Sequence, residues 1–265
     1  MHKKISSLIR IGFKDALAYR FHFYVTMITS PLQLLIYYFL WNAIFAYSRM
    51  ETINGFTLDT LISYYALNMI IGFFTWTNVD EWIERDVRSG ELIGSLLKPF
   101  KLIYINFFNI LGISSLAILI EIIPLFLVAV FFFGLKIAPL FYFTAFLISI
   151  AFALVISFFI SSIVGMTAFW LNNISGIRRV KRVLIVFLSG GMIPLTFFPE
   201  AFQEIFFYLP FQYLRFIPIS IYLQKYDYFR VIALIGIQII WILSLYFISE
   251  FIWKKAFRKF AGAGS

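Results

Sequence analysis

Long stretches without a charged side chain are the feature that most constrains the fold of this chain. Residues 21–48, 60–79 and 137–177 contain no Asp, Glu, Lys or Arg. A helix needs roughly 20 mostly apolar residues to cross a bilayer. The composition agrees, because 62% of the 265 residues are hydrophobic and 13% are charged, against roughly a quarter charged in soluble proteins. The sequence therefore predicts an all-α polytopic membrane protein.

Counting such stretches predicts six transmembrane helices in one membrane domain of residues 1–265. The third span contains a single carboxylate, Glu121. The fifth is marginal, because it is short and contains Gly190, Gly191 and Pro194, residue types that weaken or bend helices. The predicted spans are residues 21–48, 60–79, 102–135, 137–177, 183–199 and 231–249.

Residues 200–230, between the last two spans, are apolar in part but are interrupted by Pro210 and Pro218. The apolar run at 205–214 is too short to cross a bilayer. It predicts a re-entrant hairpin on the outer side of the membrane. The alternative is an ordinary hydrophobic loop packed on the bundle.

The positions of Lys and Arg predict the orientation, because cytoplasmic loops carry an excess of these residues. With both termini in the cytoplasm, most of the 22 Lys and Arg residues fall on the cytoplasmic side. The exceptions, in predicted outer segments, are Arg49, Lys136, Arg215, Lys225 and Arg230. Both termini are therefore predicted to be cytoplasmic.

Two predicted cytoplasmic segments are amphipathic. Residues 1–20 alternate apolar and basic side chains at helical spacing, which predicts an interfacial helix. Residues 80–101 are the most charged segment and also carry apolar residues at helical intervals, with a break expected near Gly90. This second segment could transmit force to a soluble partner or serve as a solvated connector.

Small residues recur at every fourth position of the fourth span. Such a row allows close helix packing in membranes. We expect it to pack within the subunit, and packing against a second copy is the alternative. The row consists of Ala145, Ser149, Ala153, Ser157, Ser161 and Gly165.

Glu121 is a possible polar site inside the membrane, because a buried carboxylate needs a partner, a cavity or a proton. A role with substrate or protons is conceivable. A structural hydrogen bond, or a position near the outer interface, is the more frequent explanation.

Several classes of site are excluded or disfavoured. There is no cysteine, and the two histidines are His2 and His22, so neither a metal site nor a Ser-His-Asp catalytic set is predicted. No Gly-x-x-x-x-Gly-Lys-Ser/Thr motif occurs, so no ATP site is predicted on this chain. The net charge of +9 favours contact with anionic lipid headgroups over nucleic acid.

A series of short motifs resembles the type-2 ABC transporter permeases of bacteria, which are membrane subunits that act beside a separate ATPase. The motifs occur in the same order across nearly the whole chain. They are Tyr64-Tyr65, the runs 86–92 and 96–99, Phe169-Trp170, the run 189–199 (SGGMIPLTFFP), the run 209–211 and Pro218.

The resemblance implies a multi-pass protein of the bacterial inner membrane that pairs with a second permease, identical or related. It implies two ATPase subunits, which hold ATP and Mg²⁺, and export of a substrate by alternating access. It further implies that 80–101 contains the coupling helix. The residues expected nearest the ATPase are Glu84, Arg85, Arg88, Gly90 and Glu91.

Other functions remain open from the residues alone. An ion- or proton-coupled secondary transporter would show inverted repeats and several intramembrane charges. A lipid-modifying enzyme would need clustered His, Asp or Glu at an interface. A membrane scaffold has no required motif.

Overall fold

The structure is a computed structural model that describes residues 2–18, 20–92, 94, 101–171 and 173–263. Regular structure in this part of the chain is helical, with one isolated bridge between Ile53 and Phe56. The helices are α1 (His2–Ala18), α2 (Arg20–Ser48), α3 (Leu58–Thr75), α4 (Val79–Ser89), α5 (Leu102–Ala117), α6 (Ile123–Phe133), α7 (Leu140–Met166), α8 (Ser175–Leu188), α9 (Glu200–Phe207), α10 (Phe216–Tyr222) and α11 (Tyr228–Ala263).

Five described helical segments are long and apolar enough to cross a membrane, so the chain is a multi-pass membrane protein. Leu58–Ser89 joins α3 and α4 across residues 76–78, and Leu102–Phe133 joins α5 and α6 through a π-helical turn at Ile118–Ile122. The five segments are Tyr24–Ser48, Leu58–Ser89, Leu102–Phe133, Leu140–Phe169 and Tyr228–Lys259.

The segment predicted as the fifth span does not form one helix. α8 begins at Ser175, upstream of the predicted start at 183, and ends at Leu188. Gly190 then adopts a left-handed backbone conformation with φ of 79°, and the chain turns. The 14 residues of α8 rise about 21 Å at about 1.5 Å each, which is short of the ~30 Å hydrocarbon layer. The helix therefore does not coincide with residues 183–199, and a fifth span in this region, like a total of six spans, stays a prediction.

α3 and α7 form the centre of the bundle. In the most apolar 18-residue stretches of the segments that contain α3 and α7, 61% and 56% of the residues are buried. The corresponding fraction in the other three spanning segments is 17–28%. α7 contacts α3, α4, α10 and α11. The remaining spans therefore leave most of their surface for lipid or for another protein chain.

The row of small residues on α7 packs within the subunit, as predicted, and every member is buried. Ser149 donates to Oε1 of Gln238 on α11 at 3.0 Å, and Ser157 donates to the Thr75 carbonyl of α3 at 2.9 Å. Gly165 lies against Asp80 and Ile83 of α4. Successive members thus contact different helices, because the row winds around α7.

Gly165→Ala is expected to lower the free energy of unfolding by about 1–3 kcal/mol, the usual cost of overpacking. A Cβ there would lie 2.8 Å from the Cα of Asp80, so α4 would have to move. Equilibrium unfolding in mixed micelles of dodecyl maltoside and SDS measures this change. Gly236→Ala on α11 is the control, since a Cβ there meets no atom within 4 Å; equal stability of the two variants would contradict the prediction.

Residues 222–226 close the predicted outer end of the bundle. The Tyr222 hydroxyl donates to the Lys136 carbonyl at 3.2 Å, and the Tyr142 hydroxyl donates to the Tyr226 carbonyl at 3.1 Å. Nζ of Lys225 donates to the Gly55 carbonyl at 2.9 Å, and burial lowers the pKa of this amine. Between α8 and this closure, residues 200–222 form short helical pieces, whose re-entrant placement in a membrane stays a prediction.

Candidate functional site

The turn after α8 is held against the middle of α3 by hydrogen bonds. The Tyr64 hydroxyl donates to the Gly190 carbonyl at 2.6 Å, and Nδ2 of Asn68 donates to the Gly191 carbonyl at 2.7 Å. The hydroxyl of Tyr65 donates to the Met192 carbonyl at 3.3 Å. Two motifs that the sequence analysis treated separately, Tyr64-Tyr65 and the Gly-Gly turn, therefore contact each other directly.

The turn lies against the middle of a helix that is long and apolar enough to span a membrane. Asn68 is ten residues beyond Leu58, the first residue of α3, which corresponds to about 15 Å along the helix. A helix break beside the middle of a span leaves backbone carbonyls that lipid cannot satisfy. The side chains of α3 satisfy them instead.

Arg215 reaches the same place from the 3-10 turn Pro210–Leu214 that precedes α10. Its Nη1 donates to Oδ1 of Asn68 at 2.9 Å. The guanidinium lies between two glycines, because a Cβ at Gly72 or at Gly191 would come within 3.3 Å of its nitrogens. Arg215 belongs to the predicted outer segment 200–230, and its guanidinium contacts the middle of α3.

An open cleft extends from Arg215 toward the start of α4 and of α8. This is the side that the distribution of Lys and Arg predicts to be cytoplasmic. Apolar and charged side chains line it together. The lining side chains include Trp76, Asp80, Glu81, Arg178, Lys181, Arg182, Ile185, Val186, Leu214 and Arg215.

One wall of the cavity links α4 to α8 through a buried ion pair. Nζ of Lys181 lies 2.7 Å from Oδ2 of Asp80, with side-chain exposures of 11% and 5%. The same amine donates to the Ser161 hydroxyl of α7 at 3.0 Å, and the Thr77 hydroxyl also donates to Ser161 at 2.8 Å. α4, α7 and α8 thus share one polar network.

The predicted coupling residues separate into inward- and outward-facing groups. The Glu84 side chain is 7% exposed, accepts a hydrogen bond from the Ile174 amide at 3.1 Å and pairs with Arg178 at 3.2 Å. The side chains of Arg85 and Arg88 are 65% and 59% exposed, and Glu91 is exposed. Glu84 therefore holds the loop before α8, while the other three charges face outward.

Gly90 ends α4 where the sequence predicted a break, in a left-handed conformation with φ of 78°. At the far end of the predicted coupling segment, Lys101 forms an ion pair with Glu250 of α11 at 3.2 Å. The hydrogen bond that Nζ of Lys101 donates to the Glu250 carboxylate raises the pKa of this lysine. Residues 93 and 95–100, which include the motif 96–99, lie outside the described residues.

Glu121 lies in the π-helical turn between α5 and α6 and is buried, with 6% exposure. The Thr26 hydroxyl of α2 donates a hydrogen bond to Oε1 of Glu121. A small second cavity beside the pair is lined by Ser30 and Pro124 among others. A structural hydrogen bond, one of the two alternatives favoured from the sequence, is therefore present, and Glu121 lies apart from the main cavity.

The sequence analysis missed Asn68, Asp80, Lys181 and Arg215 as members of one site. Each is an ordinary polar residue in its local sequence, and Arg215 is 147 positions from its partner Asn68. Proline on both sides of Arg215, at 210 and 218, was the available signal that the chain turns back there. Within the part of the chain that the structure describes, no three His, Cys, Asp or Glu residues are grouped as a metal site would require.

The chain matches a known protein family over most of its length. A family model described as ABC-2 family transporter protein matches residues 32–264, which is most of the chain. No curated protein sequence matches this chain. The match includes α3, α4, α8 and Arg215, and therefore the whole cavity.

Proposed function

We propose that the chain is the membrane subunit of an ATP-driven exporter, and the proposal starts from its family: the chain belongs to the ABC-2 family of transporter proteins. ABC-2 membrane subunits work with a partner ATPase. In this proposal the partner binds ATP and Mg²⁺ outside this chain. The substrate leaves the cytoplasm of a bacterium across its inner membrane.

The buried ion pair between Asp80 and Lys181 is the observation that carries the mechanism. It joins α4, whose exposed charges are available to a soluble partner, to α8, which forms a wall of the cavity. A buried pair with good geometry transmits displacement, because separating the charges in a low-dielectric region is costly. Movement of α4 would therefore move α8.

The turn after α8 provides a hinge about which this movement could open or close the cavity. Gly190 provides a turn in which the backbone can change direction, and hinges commonly use such positions. Tilting α8 about this turn would widen or close the cavity on the cytoplasmic side. ATP binding and hydrolysis would then alternate the exposure of the site between the two sides of the membrane.

A second permease, identical or related, is also part of the proposal. α8 carries Arg178, Arg179, Lys181 and Arg182, and much of its surface, including Val183 and Phe187, is exposed in the single subunit. Four cations on a helix that enters a bilayer require protein or water beside them. A second subunit against the exposed face of α8, with Val183 and Phe187 in the contact, would separate this region from lipid.

The charges that face outward from the coupling segment provide the test. Arg88→Glu and Glu91→Lys are each expected to reduce ATPase co-purification and transport-stimulated ATP hydrolysis by about tenfold or more, since like charges facing each other across an interface cost several kcal/mol. The measurement is ATPase recovery and activity after reconstitution in proteoliposomes. Lys136→Glu, in the loop between α6 and α7, is the control on the opposite predicted side. Normal coupled transport by Arg88→Glu and Glu91→Lys would refute the docking assignment.

A further inference from the structure

Arg215 is a cation placed deep in the molecule without an acidic partner. Among the described residues it forms no ion pair, and its recorded hydrogen bond goes to the neutral amide of Asn68. A guanidinium carries five N–H donors, so most of its donor capacity is available. A cation near the middle of a membrane is costly unless something pairs with it.

The other cations of the cavity are paired or stacked. Lys181 pairs with Asp80 at 2.7 Å, and Arg178 approaches Glu81 at 3.7 Å. Arg182 lies over the ring of Trp76, 5.6 Å from its centroid, and forms no ion pair within the described residues. The lining thus has four cations and two carboxylates, and the uncompensated charge lies on Arg182 and Arg215.

The cations form a path into the cavity. Arg178, Lys181, Arg182 and Ile185 recur at helical spacing on the lining face of α8, as residues on one helix face do. A cleft whose lining has a net positive charge attracts anions. Arg215 stands at the inner end of this path, with its guanidinium fitted between Gly72 and Gly191.

The apolar lining narrows the class of ligand. Trp76, Ile185, Val186 and Leu214 border the same cavity as the arginines. A small inorganic anion would leave these surfaces exposed to water, whereas an anion with an alkyl or ring portion would cover them. An Arg guanidinium matches phosphate or carboxylate oxygens through two parallel hydrogen bonds.

We propose that the cavity is a substrate site for amphiphilic anions, in which Arg215 binds a phosphate or carboxylate group and Arg182 attracts it. The inference rests on the proposed transport function, whose substrate it specifies. The position of the site also explains how movement of α8, coupled to the ATPase through α4, would release the bound anion. Asn68 contacts both Arg215 and the turn after α8, so movement of α8 would change the environment of the bound anion.

The test uses the purified chain in dodecyl maltoside, without any ATPase, so its result is independent of ATPase docking. Dodecyl phosphate is titrated while thermal unfolding is followed, with sodium phosphate and dodecyltrimethylammonium as comparison ligands. Dodecyl phosphate is expected to raise the unfolding temperature of the unmodified chain, and Arg215→Gln is expected to weaken its binding at least tenfold. Arg182→Gln, a change at an exposed side chain that should not disturb folding, is expected to weaken binding by a smaller factor. Arg258→Gln, at an exposed arginine of α11, is expected to bind normally.

Reconstitution in lipid nanodiscs distinguishes a lipid headgroup from a soluble amphiphile as the source of the anion. Selective retention of phosphatidylglycerol over phosphatidylcholine by the unmodified chain, reduced in Arg215→Gln, would assign the site to a lipid headgroup. Dodecyl phosphate binding without such retention would assign it to a soluble amphiphile. Equal binding of dodecyl phosphate by Arg215→Gln, Arg182→Gln and the unmodified chain would overturn the proposal. Equal binding of sodium phosphate or of dodecyltrimethylammonium would also overturn it.

Discussion

Asp80→Asn is expected to lower the free energy of unfolding by about 3–5 kcal/mol, the usual cost of removing one partner from a buried ion pair. The change leaves the Lys181 ammonium, 11% exposed, without a counter-charge, because the Asn amide and the Ser161 hydroxyl are neutral. Since this pair joins α4 to α8, transport should also be lost. Equilibrium unfolding in mixed micelles measures stability, and ATP hydrolysis stimulated by transport measures coupling.

The double variant Asp80→Asn/Lys181→Met separates the two effects. Replacing the second charge by an apolar side chain of similar volume removes the unpaired cation, so most of the lost stability should return. Coupling should not return, because α4 and α8 would no longer be joined by charge. Arg85→Gln, at an exposed surface pair with Asp86, should change stability by no more than about 0.5 kcal/mol. Full stability of Asp80→Asn, or normal coupling in the double variant, would contradict this role of the ion pair.

Asn68→Leu is the second change expected to have a large effect. It leaves the Gly191 carbonyl and the Arg215 guanidinium without the amide that now contacts both. Each such orphaned group costs about 1–3 kcal/mol, and transport should fall with the loss of the turn. The same unfolding assay measures the change in free energy.

Asn109→Leu is the matched control for this substitution. Asn109 lies within α5, and its Oδ1 is buried with no hydrogen-bond partner among the described residues. Replacing it by an apolar side chain should therefore be neutral or stabilising. If the two Asn→Leu variants lost stability equally, the contacts of Asn68 would not be what holds the turn.

Local sequence signals predicted a large part of the fold. The charge-free runs at 21–48 and 60–79 correspond closely to α2 (Arg20–Ser48) and α3 (Leu58–Thr75), because the absence of charge over a helix-length segment is a direct requirement of the bilayer. Gly90 ended α4 as predicted, since glycine accepts the left-handed conformation of a helix end. The small-residue row of α7 also faced its neighbours within the subunit.

The parts that could not be predicted depend on contacts between distant residues. Counting charges gave no sign that α8 begins near Ser175 and stops after Leu188, because the pairing of Arg178 and Lys181 with carboxylates of α4 joins residues that are distant in the sequence. The contacts of Arg215 could not be predicted for a related reason. A count of Lys and Arg in loops treats each cation as solvated, whereas this one is placed by Asn68 and two glycines.

The central claim is that a separate ATPase drives this chain. The most direct measurement is to extract the chain from its native membrane in mild detergent and identify bound proteins by quantitative mass spectrometry. We predict a soluble protein with a P-loop in equal amount, which is lost when Arg88 is replaced by Glu. Recovery of a chain that transports substrate with no P-loop protein bound, in detergent and in nanodiscs alike, would contradict the account and favour a transporter driven by an ion gradient.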